Sequence, residues 1–514
     1  MEIINFLERK GWLVNKKIKS NKYFVEVPKF LSFIENTDET IDFFKNFLFS
    51  YKIIHKKPVF ISWELCEDID LSAATLFTLM FLIFGINCEE EGKRKKDVLG
   101  TNPKKENINA LLWGNSLFRH ICGKDEEIVN YDLGIEPFNL IAGGKSEVEL
   151  IKIFKLGING DILLDPLKDN CTYISNYISN SQKEKGKILS PFGYNCINSL
   201  VGEILTNSKE HLGNEYSQYF ITGFFKKDIG EINLSFINFG DTFYHGIKYN
   251  SKDIKETLNE MIKTYKMQNG EFSEDFTEEM FCTLYALQFK ISREYEKNGE
   301  IRGTGMKAVF DFFFSLKEKE KINPTFTLIS GNTKIQFDIN DKKYYNKGIL
   351  IFNDNNNFFK EQVRKNIFKL KNFFPGTIIS LNFGIEDSWL KEIEKMINQV
   401  KLSKYFQGYK YFNGRDNGRD TRKTLNLDKV DENKESITFF FEKGLVGMNV
   451  SFFLGLFGKT ISNCGVEDFK KRYNFEYEDP DENKKLFDKD IEYGIDTVLS
   501  EITPENLIHR LQGK

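Results

Sequence analysis

The sequence predicts an α/β (α+β) protein of about three domains, and three observations lead there. Its 514 residues are more than one hydrophobic core organises. Apolar runs of strand length alternate with longer segments of helical periodicity. A pattern of strand, loop, Ser and buried helix stands near both ends of the chain, a weak internal repeat.

The first copy begins at Pro58–Trp63 (PVFISW), which reads as a buried strand. A short acidic loop follows, then an apolar helix from Ser72 (LSAATLFTLMFLIFG). Leu71 to Cys88 holds 18 residues without a charge, the lower limit for a bilayer span. It also contains Ser72, Thr75, Thr78 and Asn87 between acidic flanks, so a buried core helix is expected and no membrane. Asn102-Pro103 opens a loop before a helix at Ile108–Trp113, with Gly114 as its stop. A small α/β domain over 1–150 results.

Residues 151–385 form the second expected domain, with strands at Ile232–Ile237, Thr325–Ile329, Gly348–Phe352 and Thr377–Leu381. A helix over Trp389–Val400 and the polar run Gly414–Arg422 (GRDNGRDTR) make 386–430 a helix and linker. The second copy of the repeat fills 431–514: strand Ile437–Phe441, a turn at Gly444 and Gly447, then Ser451 opening SFFLGLFG.

Composition bounds the function classes. A net charge of −3 gives no electrostatic case for nucleic acid, and Lys93–Lys96 sit beside Glu89–Glu91. The seven cysteines form no CxxC pair, which disfavours a zinc site or disulfide framework. With no cationic-then-apolar N-terminus, a cytoplasmic location is expected.

The chemistry-bearing signal is Leu200–Gly213 (LVGEILTNSKEHLG). Ile197, Leu200, Val201, Ile204 and Leu205 follow helical spacing on one face, and Glu203, Asn207 and Glu210 or His211 form a polar stripe beside it. An Asn there can ligate Mg²⁺ through its amide oxygen. A Glu one turn earlier can take a proton from attacking water. A plain surface helix would carry the same residues. Three further motifs follow in order: Asn238-Phe-Gly240 at a strand end, Arg302-Gly303-Thr304-Gly305-Met306 running into a helix over Lys307–Leu316, and Pro375-Gly376-Thr377 opening the closing strand. Glycines opening a helix expose N–H groups to phosphate.

In these four motifs, over about 160–385, the chain resembles the GHKL (histidine-kinase-like) ATPases. The resemblance implies a Bergerat-type α/β sandwich binding ATP and Mg²⁺. In it Glu203 is the catalytic base, Asn207 holds magnesium with His211 beside it, and Asn238 and Gly240 meet adenine. Gly303, Thr304, Gly305 and Met306 make the phosphate loop, and Thr377 lines the adenine end. The family's adenine-binding Asp is Asn238 here, which accepts a hydrogen bond without the charge. The resemblance also implies a lid over roughly Asp241–Arg302.

The flanking segments resemble STAS domains, small α/β modules phosphorylated on a Ser at a helix start, which makes Ser72 and Ser451 candidate phospho-acceptors. Ser is also a preferred helix N-cap. The implied function is a nucleotide-binding regulator, a slow Mg-dependent ATPase acting as a switch for a protein partner or homodimer. Two alternatives stand beside it: a protein-serine kinase acting on STAS domains, and a nucleotide-binding scaffold without turnover.

Overall fold

The structure is a computed structural model that describes residues 2–13, 22–53, 58–90, 98–114, 135–144, 163–164, 167–182, 187–210, 218–226, 228–249, 254–289, 291, 296–297, 300–301, 305–319, 321–392, 410–434 and 436–499. It mixes helices with several sheets, an α+β arrangement.

Its centre is a six-stranded sheet in the spatial order Thr325–Asp338, Ile367–Gly384, Glu231–Phe239, Gln218–Lys226, Ile135–Gly144, Leu163–Leu164. The first five run antiparallel to their neighbours and the last pair is parallel. The strand Ile135–Gly144 thus comes from the first 150 residues and pairs with Gln218–Lys226.

Side-chain alternation sends successive residues to opposite faces. On one face Ile232, Leu234, Phe236, Ile379 and Leu381 join a core with the helices Pro191–Glu210, Glu278–Ala286 and Gly305–Ser315. On the other, Ile237, Phe239, Phe374 and Ile378 pack into the core of the N-terminal unit. With both faces apolar, the N-terminal unit is a layer on the sheet and shares its core. Trp12 Nε1 donates to the Phe373 carbonyl at 2.7 Å, and Asp38 accepts from the Asn372 backbone N–H at 2.8 Å.

The N-terminal unit has a parallel sheet ordered Tyr23–Glu26, Val59–Ser62, Val98–Gly100. Its helix Leu71–Glu90 is buried from Leu71 to Met80, because it lies between that unit's core and the central sheet. Among the described residues no helix is long and apolar enough to cross a membrane.

The element order of the repeat is present at both ends. In the N-terminal unit Val59–Ser62 is followed by Asp68–Ile69, which pairs in parallel with Phe30–Leu31, then by the helix and the parallel strand Val98–Gly100. In the C-terminal unit Ile437–Phe441 is followed by Gly447–Met448, which pairs in parallel with Tyr411–Phe412, then by a helix over 450–464 and the parallel strand Tyr473–Tyr477. That helix contains a π turn at Leu454–Gly458.

Three segments differ from expectation. The polar run Gly414–Arg422, expected as a linker, is the helix Arg415–Thr424 with Arg415, Gly418, Thr421 and Arg422 buried. Its charges fold inward because partners meet them: Arg422 bonds Asp428, Asp431, the Leu456 carbonyl and Thr460. Gly418 lets the backbone lie against Phe452 and Gly455. The expected helix from Trp389 begins instead as the strand Leu390–Glu392, paired with Lys187–Leu189, and its remainder, 393–400, lies outside the described residues. Gly348–Phe352 contributes only the two-residue strand Ile349–Leu350 of a tight hairpin with Tyr345–Asn346.

Candidate functional site

The helix Pro191–Glu210 starts at Pro191, whose fixed φ suits a first helical position. Its apolar face (Ile197, Leu200, Val201, Ile204, Leu205) is buried on the sheet. This places Asn207 at the rim of a narrow cavity of about 60 Å³ that opens to solvent. The pocket is lined by Ile204 and Asn207, by Phe236 and Asn238 of one strand, and by Thr377 and Ile379 of the next. Asp241–Phe243, Gly246, Ile247, Ala286, Ile291 and Met306 close it.

Four of the sequence-predicted residues, Asn207, Asn238, Met306 and Thr377, therefore meet in one cavity. Their strands bring this about: Asn238 is opposite Thr377 and Phe239 opposite Gly376. Gly376, with φ +150°, is needed at that place because a Cβ there would overlap the Asn238 carbonyl oxygen. Gly240 follows the strand end and its N–H donates to the Pro375 carbonyl at 3.3 Å. Ser330 ties the rim, its hydroxyl 3.1 Å from Thr377 Oγ1 and accepting from the Phe243 N–H at 2.9 Å.

Two amide atoms at this site are buried with no hydrogen-bond partner: Asn238 Oδ1, an acceptor, and Asn207 Nδ2, a donor. An unpaired buried polar atom costs about 1–3 kcal/mol, and a ligand group can relieve that cost. A donor from a flat ligand edge suits Asn238 and an anionic oxygen suits Asn207.

Gly305 opens the helix Gly305–Ser315 directly against the first helix. A Cβ on Gly305 would stand 2.7 Å from Asn207 Nδ2 and 2.9 Å from Glu203 Oε2. The helix start, whose first N–H groups have no partner within the helix, is thus pressed against the Glu203/Asn207 pair. His211, Gly303 and Thr304 lie outside the described residues.

Glu203 is 1% exposed, and its neighbour comes from far along the chain: Ser451 Oγ donates to Glu203 Oε1 at 2.8 Å. Ser451 does not cap its helix. Asn449 does, accepting from the Phe452 N–H at 2.8 Å, and Asp70 does the same for the N-terminal helix by accepting from the Ala73 N–H at 2.7 Å. Both serines sit two residues after their cap. Ser72, however, lies across the sheet from the pocket, its hydroxyl 2.8 Å from Ser235 Oγ and 2.7 Å from Ser380 Oγ. The structure brings Ser451 to the site and leaves Ser72 remote.

Part of the expected lid belongs to the core. Within Asp241–Arg302, the helix Glu278–Ala286 is buried at every residue from Met280 to Ala286, so it cannot swing without exposing core. The apolar lining was not legible as a site, because Phe236, Ile247 and Ile379 read as ordinary core positions. Asp241 and Thr242 directly follow the Asn238–Gly240 motif, a signal close enough to have included them. Among known protein families, curated proteins and solved structures, none matches the chain.

Proposed function

We propose that the chain is a nucleotide-binding regulator that takes ATP with Mg²⁺ in the pocket between Asn207 and Thr377, and turns it over slowly. The observation that carries this reading is the pair of buried unpartnered amide atoms, Asn238 Oδ1 at one end and Asn207 Nδ2 at the other. Asn238 would accept from the adenine amino group, while Phe236, Ile247, Met306 and Ile379 cover the ring. Asn207 and the N–H groups at Gly305 would hold the phosphates and, through the Asn207 amide oxygen, the cation. Bound Mg²⁺ would neutralise phosphate charge during transfer.

Glu203 is the base beside that end. It takes the proton of an attacking hydroxyl as that oxygen bonds to the γ-phosphorus and the bond to the β–γ bridging oxygen breaks, releasing ADP. If the hydroxyl is water, the chain is an ATPase whose state alters how it meets a protein partner or second copy in the cytoplasm.

A second reading, a protein-serine kinase, is favoured by one observation: the hydroxyl at hydrogen-bond distance from Glu203 belongs to Ser451. A thermal-shift titration with ATP, ADP and GTP, with and without Mg²⁺, tests the pocket. A Tm unmoved by all three at millimolar concentration overturns it. Labelled ATP then separates free phosphate (ATPase), labelled protein (kinase) and neither (a scaffold without turnover).

A further inference from the structure

The helix Pro191–Glu210 carries a second set of contacts at a spacing of four. Asn195 Nδ2 donates to both carboxylate oxygens of Asp490, at 3.0 and 3.1 Å. Ser199 bonds the Tyr411 hydroxyl. Glu203 accepts from Ser451. One turn on, Asn207 lines the pocket. Residues 195, 199, 203 and 207 therefore form one stripe, the first three held by the C-terminal unit and the last open to the ligand.

A second anchor lies on the helix that opens at Gly305. Tyr493, from the C-terminal helix Lys485–Leu499, donates to Asp311 Oδ2 at 3.0 Å and accepts from Lys307 Nζ at 3.0 Å. The Lys307 ammonium also sits 4.4 Å from the centre of the Tyr493 ring. The C-terminal unit thus grips both helices whose ends form the proposed phosphate site, and these contacts are polar, the kind that can exchange for ligand or water.

We propose that the C-terminal unit is an intramolecular latch on the nucleotide site: docked, it engages Glu203 through Ser451 and keeps the base from water, and turnover requires it to lift. This rests on the nucleotide reading above. A carboxylate that already accepts from Ser451 in a buried contact is a poorer base for water until that contact opens. Because ligand and latch share one helix, the coupling is reciprocal: nucleotide that draws on Glu203 and Asn207 weakens docking, and loss of docking frees the site.

The test uses the full chain as parent, Ser451→Ala and Tyr493→Phe, with binding of a fluorescent ATP analogue, phosphate release and covalent label measured together. The latch predicts phosphate release at least about tenfold faster in both variants, with analogue binding retained and no label on protein. It also predicts faster amide hydrogen exchange in Val450–Phe453 and Lys485–Leu499 when ATP is added to the parent. Release in both variants at or below the parental rate, with analogue bound, overturns the latch alone. Label on parental Ser451 that vanishes in Ser451→Ala overturns it in favour of phosphoryl transfer. Failure of all three proteins to bind the analogue overturns the nucleotide reading, and the latch with it. Tyr493→Phe keeps the ring and removes one hydroxyl, so it serves if Ser451→Ala fails to fold.

Discussion

Replacing Gly305 with Ala separates the site from the fold. The new methyl would stand 2.7 Å from Asn207 Nδ2, 2.9 Å from Glu203 Oε2 and 3.0 Å from Asn207 Oδ1, where ordinary contact begins at 3.4 Å. The two side chains must therefore retreat by about 0.5–0.7 Å, the difference between those distances. All three atoms are the ends of flexible side chains, so the fold can absorb the move. The site cannot absorb it, because Asn207 leaves the position from which it would hold phosphate and cation. Losing one hydrogen bond to a charged group costs about 1.5–3 kcal/mol. That corresponds to roughly 10- to 150-fold weaker nucleotide binding. Calorimetric titration with ATP–Mg²⁺ and thermal unfolding of the same samples give the two readings: affinity lost, Tm within about 4 °C of the parent. A variant that binds nucleotide within twofold of the parent would refute the placement of phosphate beside Gly305 and Asn207.

Three further outcomes follow from the same geometry. Asn207→Ala should abolish the magnesium-dependent part of nucleotide binding while the fold survives, read by titration with and without the cation; unchanged magnesium dependence removes Asn207 from the metal. Gly376→Ala should destabilise the protein by more than the ~1–3 kcal/mol of a strained backbone position, since its Cβ meets the Asn238 carbonyl as well; a denaturant midpoint equal to the parent's contradicts the strand geometry. Burial raises the Asp490 carboxyl from 3.8 to about 7, so the folded state holds this proton more tightly than the unfolded chain. Its stabilising effect is complete below about pH 4 and is lost as pH rises through about 7, at most about 4 kcal/mol. Proteolysis of the C-terminal unit should therefore speed up between pH 5.5 and 8.5, and much less so in Asp490→Asn; a flat parental profile would show that Asp490 does not titrate there.

Local pattern made part of this protein legible. The strand at Glu231–Phe239, the helix through Leu200–Leu205 and the strand-and-helix repeat at both ends follow from periodicities of two and 3.6, which neighbours in sequence enforce. The same reading missed the helix Arg415–Thr424, because its stability comes from Asp428, Asp431 and Thr460 meeting Arg422 and from Gly418 meeting a second helix. Asp428 and Asp431 lie six and nine residues beyond Arg422, but Thr460 and the second helix lie in no short window of sequence.

The candidate site divides the same way. Sequence alone determined which residues have the chemistry: an Asn and a Glu one turn apart on an amphipathic helix, an Asn before a Gly at a strand end, and a Gly at a helix start. Only the tertiary structure decided that Asn207, Asn238, Met306 and Thr377 line one pocket, that Ser451 reaches Glu203, and that Ser72 does not. The two serines occupy equivalent places in a repeated element order, so their own sequence neighbourhoods assign them equivalent roles. They differ because one helix start docks on the polar stripe of Pro191–Glu210 and the other on the far face of the sheet. That choice belongs to long-range packing, in which the apolar residues Ile237, Phe239, Phe374 and Ile378 draw the N-terminal unit across the sheet and leave the pocket side to the C-terminal unit.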